Sequence, residues 1–200
     1  MTQPIRFYFD FNSTFSYIAI QQIDALAASW GRTVDWRAVS LAHLFKAQNI
    51  TPPPLNPARF KYLAVDFARS CALAGLPSRL PDPFPPDVKL ARLMFWRLKA
   101  QDPQRAAAFA RAVSAAIFGR GETLATADQI AAACGRTEGP GTAEVAAAEG
   151  DFAAKRAVVA ALDAALADGM IGAPYFVVDG EPFWGADRLD QMARRLRSAP

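Results

Sequence analysis

The chain contains few of the residues that usually carry redox or metal chemistry. Its 200 residues include 2 cysteines and 1 histidine. Cys71 and Cys134 lie far apart and form no paired motif, which argues against a disulfide framework or a zinc cluster and favours two buried thiols. His43 has no neighbouring base or ligand pattern, so we expect a structural histidine. The sequence therefore predicts no metal site.

Long apolar runs and a strong charge of one sign are also missing. No stretch is long and apolar enough to span a membrane, and the N-terminus shows no basic segment followed by an apolar run, so we expect a cytoplasmic protein with no membrane association. The formal net charge is +3, and apart from Arg194, Arg195 and Arg197 the basic residues are interspersed with acids, which argues against nucleic-acid binding. The apolar fraction of 52% is typical of a globular protein.

The first forty residues have the pattern of a strand–helix–strand unit. Apolar and polar residues alternate over 5–11, which predicts a strand. Apolar residues then follow a helical spacing from Tyr17 to Trp30, and Gly31 predicts the end of that helix. Alternation returns over 33–39. We expect the two strands to pair in parallel through a right-handed crossover.

The rest of the chain is helical until close to its end. Residues 41–169 are rich in alanine and predict five or six helices, one of them beginning at Pro85-Pro86 and a long one running from Thr142 to about Asp168. Residues 175–178 and 181–184 predict a hairpin around Asp179-Gly180, and a final helix is expected near Asp187, which suits its cap position.

This order of elements predicts an α/β protein. It is the order of a thioredoxin-like fold, made of residues 1–40 and 170–200, that is interrupted by a large all-helical insertion at residues 41–169. In such folds a C-x-x-C pair lies at the N-terminus of the first helix, where unpaired N–H groups stabilise a thiolate. Here Ser13 and Ser16 stand at those positions, so disulfide exchange is excluded. The geometry could still hold a thiolate that another molecule supplies, such as glutathione.

Four motifs occur together in one known family. They are Phe9-Asp10-Phe11-x-Ser13-x-Phe15-Ser16-Tyr17, Tyr62-x-x-x-Asp66-x-x-Arg69, Gly172-x-Pro174 and Phe183-Trp184-Gly185-x-Asp187-Arg188-Leu189. The chain resembles, nearly end to end, the 2-hydroxychromene-2-carboxylate isomerases, relatives of kappa-class glutathione transferases and of DsbA-type oxidoreductases. The resemblance implies a glutathione-dependent cis–trans isomerase of aromatic catabolism, which forms trans-o-hydroxybenzylidenepyruvate or acts on a related aromatic 2-oxo acid. It also implies a homodimer.

The resemblance assigns roles at the start of the first helix and near the end of the chain. Ser13 occupies the position of the catalytic serine that contacts the glutathione sulfur, while a plain helix cap is the alternative. Thr14 replaces the proline that is usual in the family. Asp187 and Arg188 match the residues that receive the γ-glutamyl end of glutathione, and a charged ammonium group needs such a carboxylate.

Further residues are assigned to the peptide part of glutathione and to the substrate. Arg59 takes the place of a lysine that helps to hold the peptide, and Asn49 matches an asparagine in the preceding loop. A cis bond between Ala173 and Pro174 would let the backbone of Ala173 pair with the peptide as an added strand does. The aromatic residues assigned to the substrate pocket are Phe15, Tyr62 and Trp184.

Two other functions remain open at this stage. A kappa-like glutathione transferase or peroxidase would use the same thiolate site with a different second pocket. A redox-dead thioredoxin-like module would bind peptides along the cis-proline groove, but it would have no need for Arg59, Asp187 and Arg188 together.

Overall fold

A four-stranded mixed sheet organises the molecule. The computed structural model describes residues 3–135 and 139–197. The strands are β1 (Ile5–Phe9), β2 (Val34–Ala38), β3 (Tyr175–Val178) and β4 (Glu181–Trp184). They lie in the order β2-β1-β3-β4, with β1 parallel to β2 and the other pairs antiparallel. The predicted fold class and the parallel pairing are therefore confirmed.

The described residues also form nine α-helices. They are α1 (Thr14–Ser29), α2 (Leu41–Ala47), α3 (Pro57–Leu73), α4 (Lys89–Gln101), α5 (Pro103–Ser114), α6 (Ala127–Cys134), α7 (Thr142–Ala147), α8 (Phe152–Ala167) and α9 (Leu189–Arg197). A π-helical turn, Ala115–Gly119, follows α5, and short 3₁₀ turns lie at Pro53–Leu55, Ala148–Gly150 and Ala186–Arg188. None of the helices in the described ranges has the length and apolar character needed to cross a membrane.

Both faces of the sheet are buried. Phe7 of β1 stacks on Phe176 of β3 at 5.0 Å between ring centroids, and Phe9 meets Phe95 of α4 edge-on at 5.2 Å. These rings share one apolar core with α1, α4 and α5. The opposite face, which carries Tyr8, packs mainly against α8. Alternate side chains of β1 therefore point to opposite faces of the sheet, and both faces are buried because helices cover the sheet on each side.

Polar side chains fasten α8 to the second face. Arg6 forms two hydrogen bonds of 2.9 Å with the carboxylate of Asp168, just after α8. The hydroxyl of Tyr8 donates to the same carboxylate at 2.6 Å and accepts from Arg37 at 2.8 Å. Burial and the bond to Asp168 raise the pKa of Tyr8 to about 12.

The helical part differs from the prediction in the number of its helices and in where they begin. Seven α-helices, not five or six, lie between β2 and β3 in the described chain. The run predicted from Thr142 is divided, because Asp151 caps a new helix by accepting from the Ala154 N–H. The helix expected at Pro85-Pro86 begins instead at Lys89, where the Asp87 carboxylate accepts the backbone N–H.

The start of the final helix also differs from the prediction. A 3₁₀ turn precedes α9, and Asp187 lies inside that turn instead of capping the helix. Gly185 is the N-cap of this 3₁₀ turn, not of α9, and its φ of +113° is a conformation that favours glycine. The proposed division at residues 40 and 170 stays a prediction, and residues 1–2 and 198–200 lie outside the described part.

Candidate functional site

Ser13 joins the start of α1 to the loop that precedes β3. It is the N-cap of α1, and its hydroxyl oxygen accepts the Ser16 N–H at 3.0 Å. The same hydroxyl donates to the carbonyl oxygen of Ala173 at 2.9 Å. Ser13 is 7% exposed. The sequence analysis offered Ser13 both as a helix cap and as a site residue between α1 and β3. In the structure its side chain caps α1 and also contacts the loop before β3.

A buried ion pair holds the segment in front of Ser13. One carboxylate oxygen of Asp10 accepts from the Arg92 guanidinium at 2.7 Å and from the Asn12 N–H at 3.2 Å. The other accepts the N–H of Leu41, the first residue of α2, at 2.7 Å. Arg92 also donates to the carbonyl of Val39 at 2.8 Å. Because Asp10 is 1% exposed, this cluster fixes the loop between β1 and α1.

The loop before β3 contains the expected cis bond between Ala173 and Pro174. The Gly185 N–H donates to the Pro174 carbonyl at 3.0 Å, which ties this loop to the end of β4. Trp184 packs closely on Gly172, where an added Cβ would lie 2.6 Å from the indole Nε1. Only glycine therefore lets the Trp184 ring cover this loop in its present position.

A cavity of about 1540 Å³ opens over these elements. Seven of the sequence-predicted residues line it: Ser13, Phe15, Arg59, Ala173, Trp184, Asp187 and Arg188. Asn49, Tyr62 and Pro174 are not among its lining residues in the described chain. Asn49 follows α2 with φ 55°, and Tyr62 is 64% exposed on α3. The structure thus brings seven of the ten predicted residues together at the cavity and leaves Asn49, Tyr62 and Pro174 out of its lining.

The cavity combines apolar walls with a few charged groups. Apolar side chains of α1, α2, α3 and the loops around them form the walls, among them Phe15, Ile18, Phe45, Leu63 and Phe84.

Two cations and three carboxylates are among the lining residues: Arg59, Arg188, Asp66, Asp187 and Asp190. Arg188 pairs with Asp187 at 3.3 Å, and both side chains are substantially exposed. The guanidinium of Arg59 has no ion-pair partner within residues 3–135 and 139–197. Among the described residues the cavity therefore presents one unpaired guanidinium, one Arg188–Asp187 pair and two further carboxylates, those of Asp66 and Asp190.

Asn12 and Thr14 are among the cavity residues that the sequence analysis missed. Asn12 and Thr14 flank Ser13 and line the cavity. The Oδ1 atom of Asn12 is buried without a hydrogen-bond partner in the described chain. Their position inside the motif around Ser13 was the signal that could have indicated them.

The two cysteines lie elsewhere. Both are fully buried, and burial raises the pKa of each thiol to about 11. Neither is among the lining residues of the cavity in the part of the chain described. No thiol of this chain thus reaches the cavity in the structure, which agrees with the sequence reading of two buried thiols.

The fold and the site together define a thioredoxin-like protein in which serines replace the redox thiols. The helix N-terminus and the cis-proline loop keep their places, and hydroxyl groups stand between them. The sequence profile of the DsbA-like thioredoxin domain matches residues 4–197. The chain belongs to this family.

Two relatives share the name of one enzyme. A relative from Sphingobium xenophagum, named 2-hydroxychromene-2-carboxylate isomerase, is 29% identical over 204 residues, covering 95% of this chain and 96% of the relative. One of the same name from Pseudomonas putida is 33% identical over 119 residues, covering 58% and 57% respectively.

Solved structures with a similar fold include an enzyme of the same name. A 2-hydroxychromene-2-carboxylate isomerase superposes with a TM-score of 0.81 at 26% identity, covering 98% of this chain and 95% of the other. The cytosolic disulfide reductase DsbM from Pseudomonas aeruginosa, solved with GSH, has a TM-score of 0.64 at 16% identity, covering 98% of each chain, which shows a shared fold alone. These matches confirm the family resemblance and the fold class, and they agree with the prediction of an isomerase.

Proposed function

We propose that this protein is a glutathione-dependent cis–trans isomerase that acts on 2-hydroxychromene-2-carboxylate or on a related conjugated aromatic 2-oxo acid. The observation that carries the proposal is the bond from Ser13 to Ala173, which places a hydroxyl-capped helix N-terminus against a cis-proline loop at an open cavity. Backbone N–H groups and the positive end of the helix dipole favour an anion there. The names of the relatives support the choice of reaction.

The charged groups around the cavity fit a ligand with the charge pattern of glutathione. The carboxylate of Asp187 suits an ammonium group, and Arg188 beside it suits a carboxylate, as the γ-glutamyl end requires. The guanidinium of Arg59, which has no ion-pair partner among the described residues, also lines the cavity and suits the other carboxylate of the tripeptide. Between these ends, the backbone of Ala173 faces the cavity and would pair with the peptide, with Pro174 setting its direction and Asn49 contributing from beyond α2.

Bound glutathione would supply a thiolate nucleophile for reversible addition to the conjugated double bond. The chain's own residues would bind glutathione and the substrate, orient them and shield them from solvent. Phe15 and Trp184 line the cavity and would form the face on which an aromatic substrate lies, and Tyr62 would approach from the outer side of α3. We further propose a cytoplasmic homodimer, as the resemblance implies.

Calorimetric titration of glutathione into the wild type and Ser13→Ala tests the proposal. The wild type should bind, and the variant should bind about 5- to 30-fold more weakly, because losing a hydrogen bond of this kind costs about 1–2 kcal/mol. Ser29→Ala, at the far exposed end of α1, is the matched control and should bind as the wild type does.

Turnover assays then separate the candidate reactions. Isomerisation without consumption of glutathione supports the proposal. Formation of a stable glutathione conjugate would favour the kappa-like transferase instead. If the wild type binds no glutathione, both enzyme proposals fail, and a redox-dead peptide-binding module becomes the better account.

A further inference from the structure

The charged and the uncharged lining residues of the cavity come from different elements. The charged ones belong to α3, to the 3₁₀ turn after β4 and to the first residues of α9. Within the described chain, α2, the loop after it and the loop before β3 contribute no charged side chain to the lining. We call the lining residues of these three segments the uncharged wall: Leu41, Ala42, Phe45, residues 50–55, Ile171 and Gly172.

Hydrogen bonds at both ends of α2 hold the uncharged wall together. At the start of α2, the Leu41 N–H donates to the carboxylate of Asp10 at 2.7 Å. At its end, the side-chain amide of Gln48 donates to the carbonyl of Met170, the residue before Ile171, at 2.7 Å. The helix therefore connects the loop between β1 and α1 to the loop before β3.

The loop after α2 forms a stiff part of the wall. Its three successive prolines, residues 52–54, restrict the backbone. The Leu55 N–H donates to the Pro52 carbonyl at 3.0 Å, and the Ile50 N–H donates to the Phe45 carbonyl at 2.9 Å. A wall that is fixed before a ligand arrives can select that ligand by its shape.

Several large apolar side chains of the wall are exposed. Ile50 is 38% exposed, Leu55 72% and Ile171 47%. Trp184, which packs on Gly172 and also lines the cavity, is 53% exposed. Exposed apolar side chains that cluster in a cavity are typical of ligand-binding grooves. Because the wall carries no charge, it suits an apolar ring and not an ionised group.

The wall adjoins the proposed position of the thiol. Ala173, which directly follows the wall in the chain, accepts a hydrogen bond of 2.9 Å from the hydroxyl of Ser13. The residues assigned to the ionised ends of glutathione belong to other elements. An aromatic substrate that reacts with the thiol can therefore rest on the uncharged wall while glutathione uses the charged groups.

Ile171 has the most constrained position in the wall. It lies between two anchored carbonyl groups, since Gln48 holds that of Met170 and Ser13 holds that of Ala173. The backbone of Ile171 therefore has little freedom to move away from a larger ligand. The size of its side chain then decides how much space remains.

We propose that the uncharged wall binds the aromatic ring of the substrate and that Ile171 is a specificity-determining residue that limits the size of this ring system. The inference rests on the proposed function. It deepens that proposal by stating which part of the cavity receives the substrate.

The ratio of the kcat/KM values for a larger and a smaller substrate tests the inference, since a merely structural role would change both values alike. The substrates are 2-hydroxychromene-2-carboxylate and its analogue with one more fused benzene ring, each at saturating glutathione. Ile171→Trp reduces the space and should lower the ratio of larger to smaller at least about tenfold. Ile171→Ala should raise the ratio.

A binding measurement gives a readout that needs no turnover. We would titrate two unreactive saturated analogues, 4-phenyl-2-oxobutanoate and 4-naphthyl-2-oxobutanoate, into the glutathione complex of each variant by calorimetry. Ile171→Trp should weaken binding of the naphthyl compound more than that of the phenyl compound. The affinity for glutathione itself should stay that of the wild type.

Leu73 provides the matched control. Its apolar side chain is 86% exposed and lines the α3 side of the cavity. Leu73→Trp and Leu73→Ala should leave both ratios as they are in the wild type. Circular dichroism checks that each variant is folded.

The outcomes separate this inference from the proposed function. If the wild type binds glutathione and the Ile171 variants leave the ratios unchanged, or the Leu73 variants change them as much, the assignment of the wall is wrong and the proposed function stands. The assignment is also wrong if neither saturated analogue binds the glutathione complex. If the wild type binds no glutathione, the proposed function fails and the assignment fails with it.

Discussion

The buried pair of Asp10 and Arg92 should be one of the costliest places to perturb this fold. Asp10→Ala would leave the guanidinium buried without its carboxylate, and the N–H groups of Asn12 and Leu41 would lose their acceptor. Breaking such a pair costs about 3–5 kcal/mol. For a chain of this size each kcal/mol lowers Tm by about 2–4 °C, so we expect Tm to fall by about 6–20 °C.

A double-mutant cycle, measured by urea denaturation, checks the reasoning. Arg92→Met in the Asp10→Ala background removes the stranded charge, so the double variant should recover about 2 kcal/mol relative to Asp10→Ala. Glu122→Ala, which breaks the exposed pair with Arg120, is the control and should cost less than about 1 kcal/mol. A cost below about 1 kcal/mol for Asp10→Ala, or strictly additive effects in the cycle, would refute the claim that this pair holds the loop.

Three further predictions concern thiols, a tyrosine and a glycine. Cys71 and Cys134, whose thiol pKa values are raised to about 11 by burial, should resist iodoacetamide in the native protein and react only after unfolding, as mass spectrometry would show. Because the pKa of Tyr8 is raised from 10.0 to about 12, its hydroxyl ionises first in the unfolded chain, so the free energy of unfolding should fall as pH rises across that interval, and Tyr8→Phe should flatten this fall. Gly185→Ala adds a Cβ that meets the Asp187 carboxylate at a φ of +113°, so it should cost about 1–2 kcal/mol of stability and weaken glutathione binding in calorimetry.

Much of the fold could be predicted from the sequence because its signals are local. The alternation in β1, the serine cap of α1 and the turn at Asp179-Gly180 each depend on neighbouring residues, and each is present in the structure. The number of helices was wrong because the breaks depend on single side chains. Asp87 and Asp151 each accept one backbone N–H, and composition does not show which of many aspartates will do so.

The part of the candidate site that depends on neighbouring residues could be predicted from the sequence. The part that depends on residues far away in the sequence could not. The motif around Ser13 predicted a helix N-terminus, which the structure contains, and anion binding there stays a prediction. The sequence could not show that Arg92, 82 positions away, neutralises Asp10. Nor could it show that the Ala173 carbonyl accepts the hydrogen bond that the Ser13 hydroxyl donates. Both are tertiary contacts, and such contacts decide which hydrogen-bond partners each group has.

The bond between Ser13 and Ala173 joins residues 160 positions apart, and the whole helical part of the chain lies between them. During synthesis, the start of α1 leaves the ribosome long before the cis-proline loop exists. A nascent chain that has already built β1, β2 and the helices therefore still lacks one wall of its cavity. Completion of the cavity must therefore wait until β3 has been made and has paired with the free edge of β1.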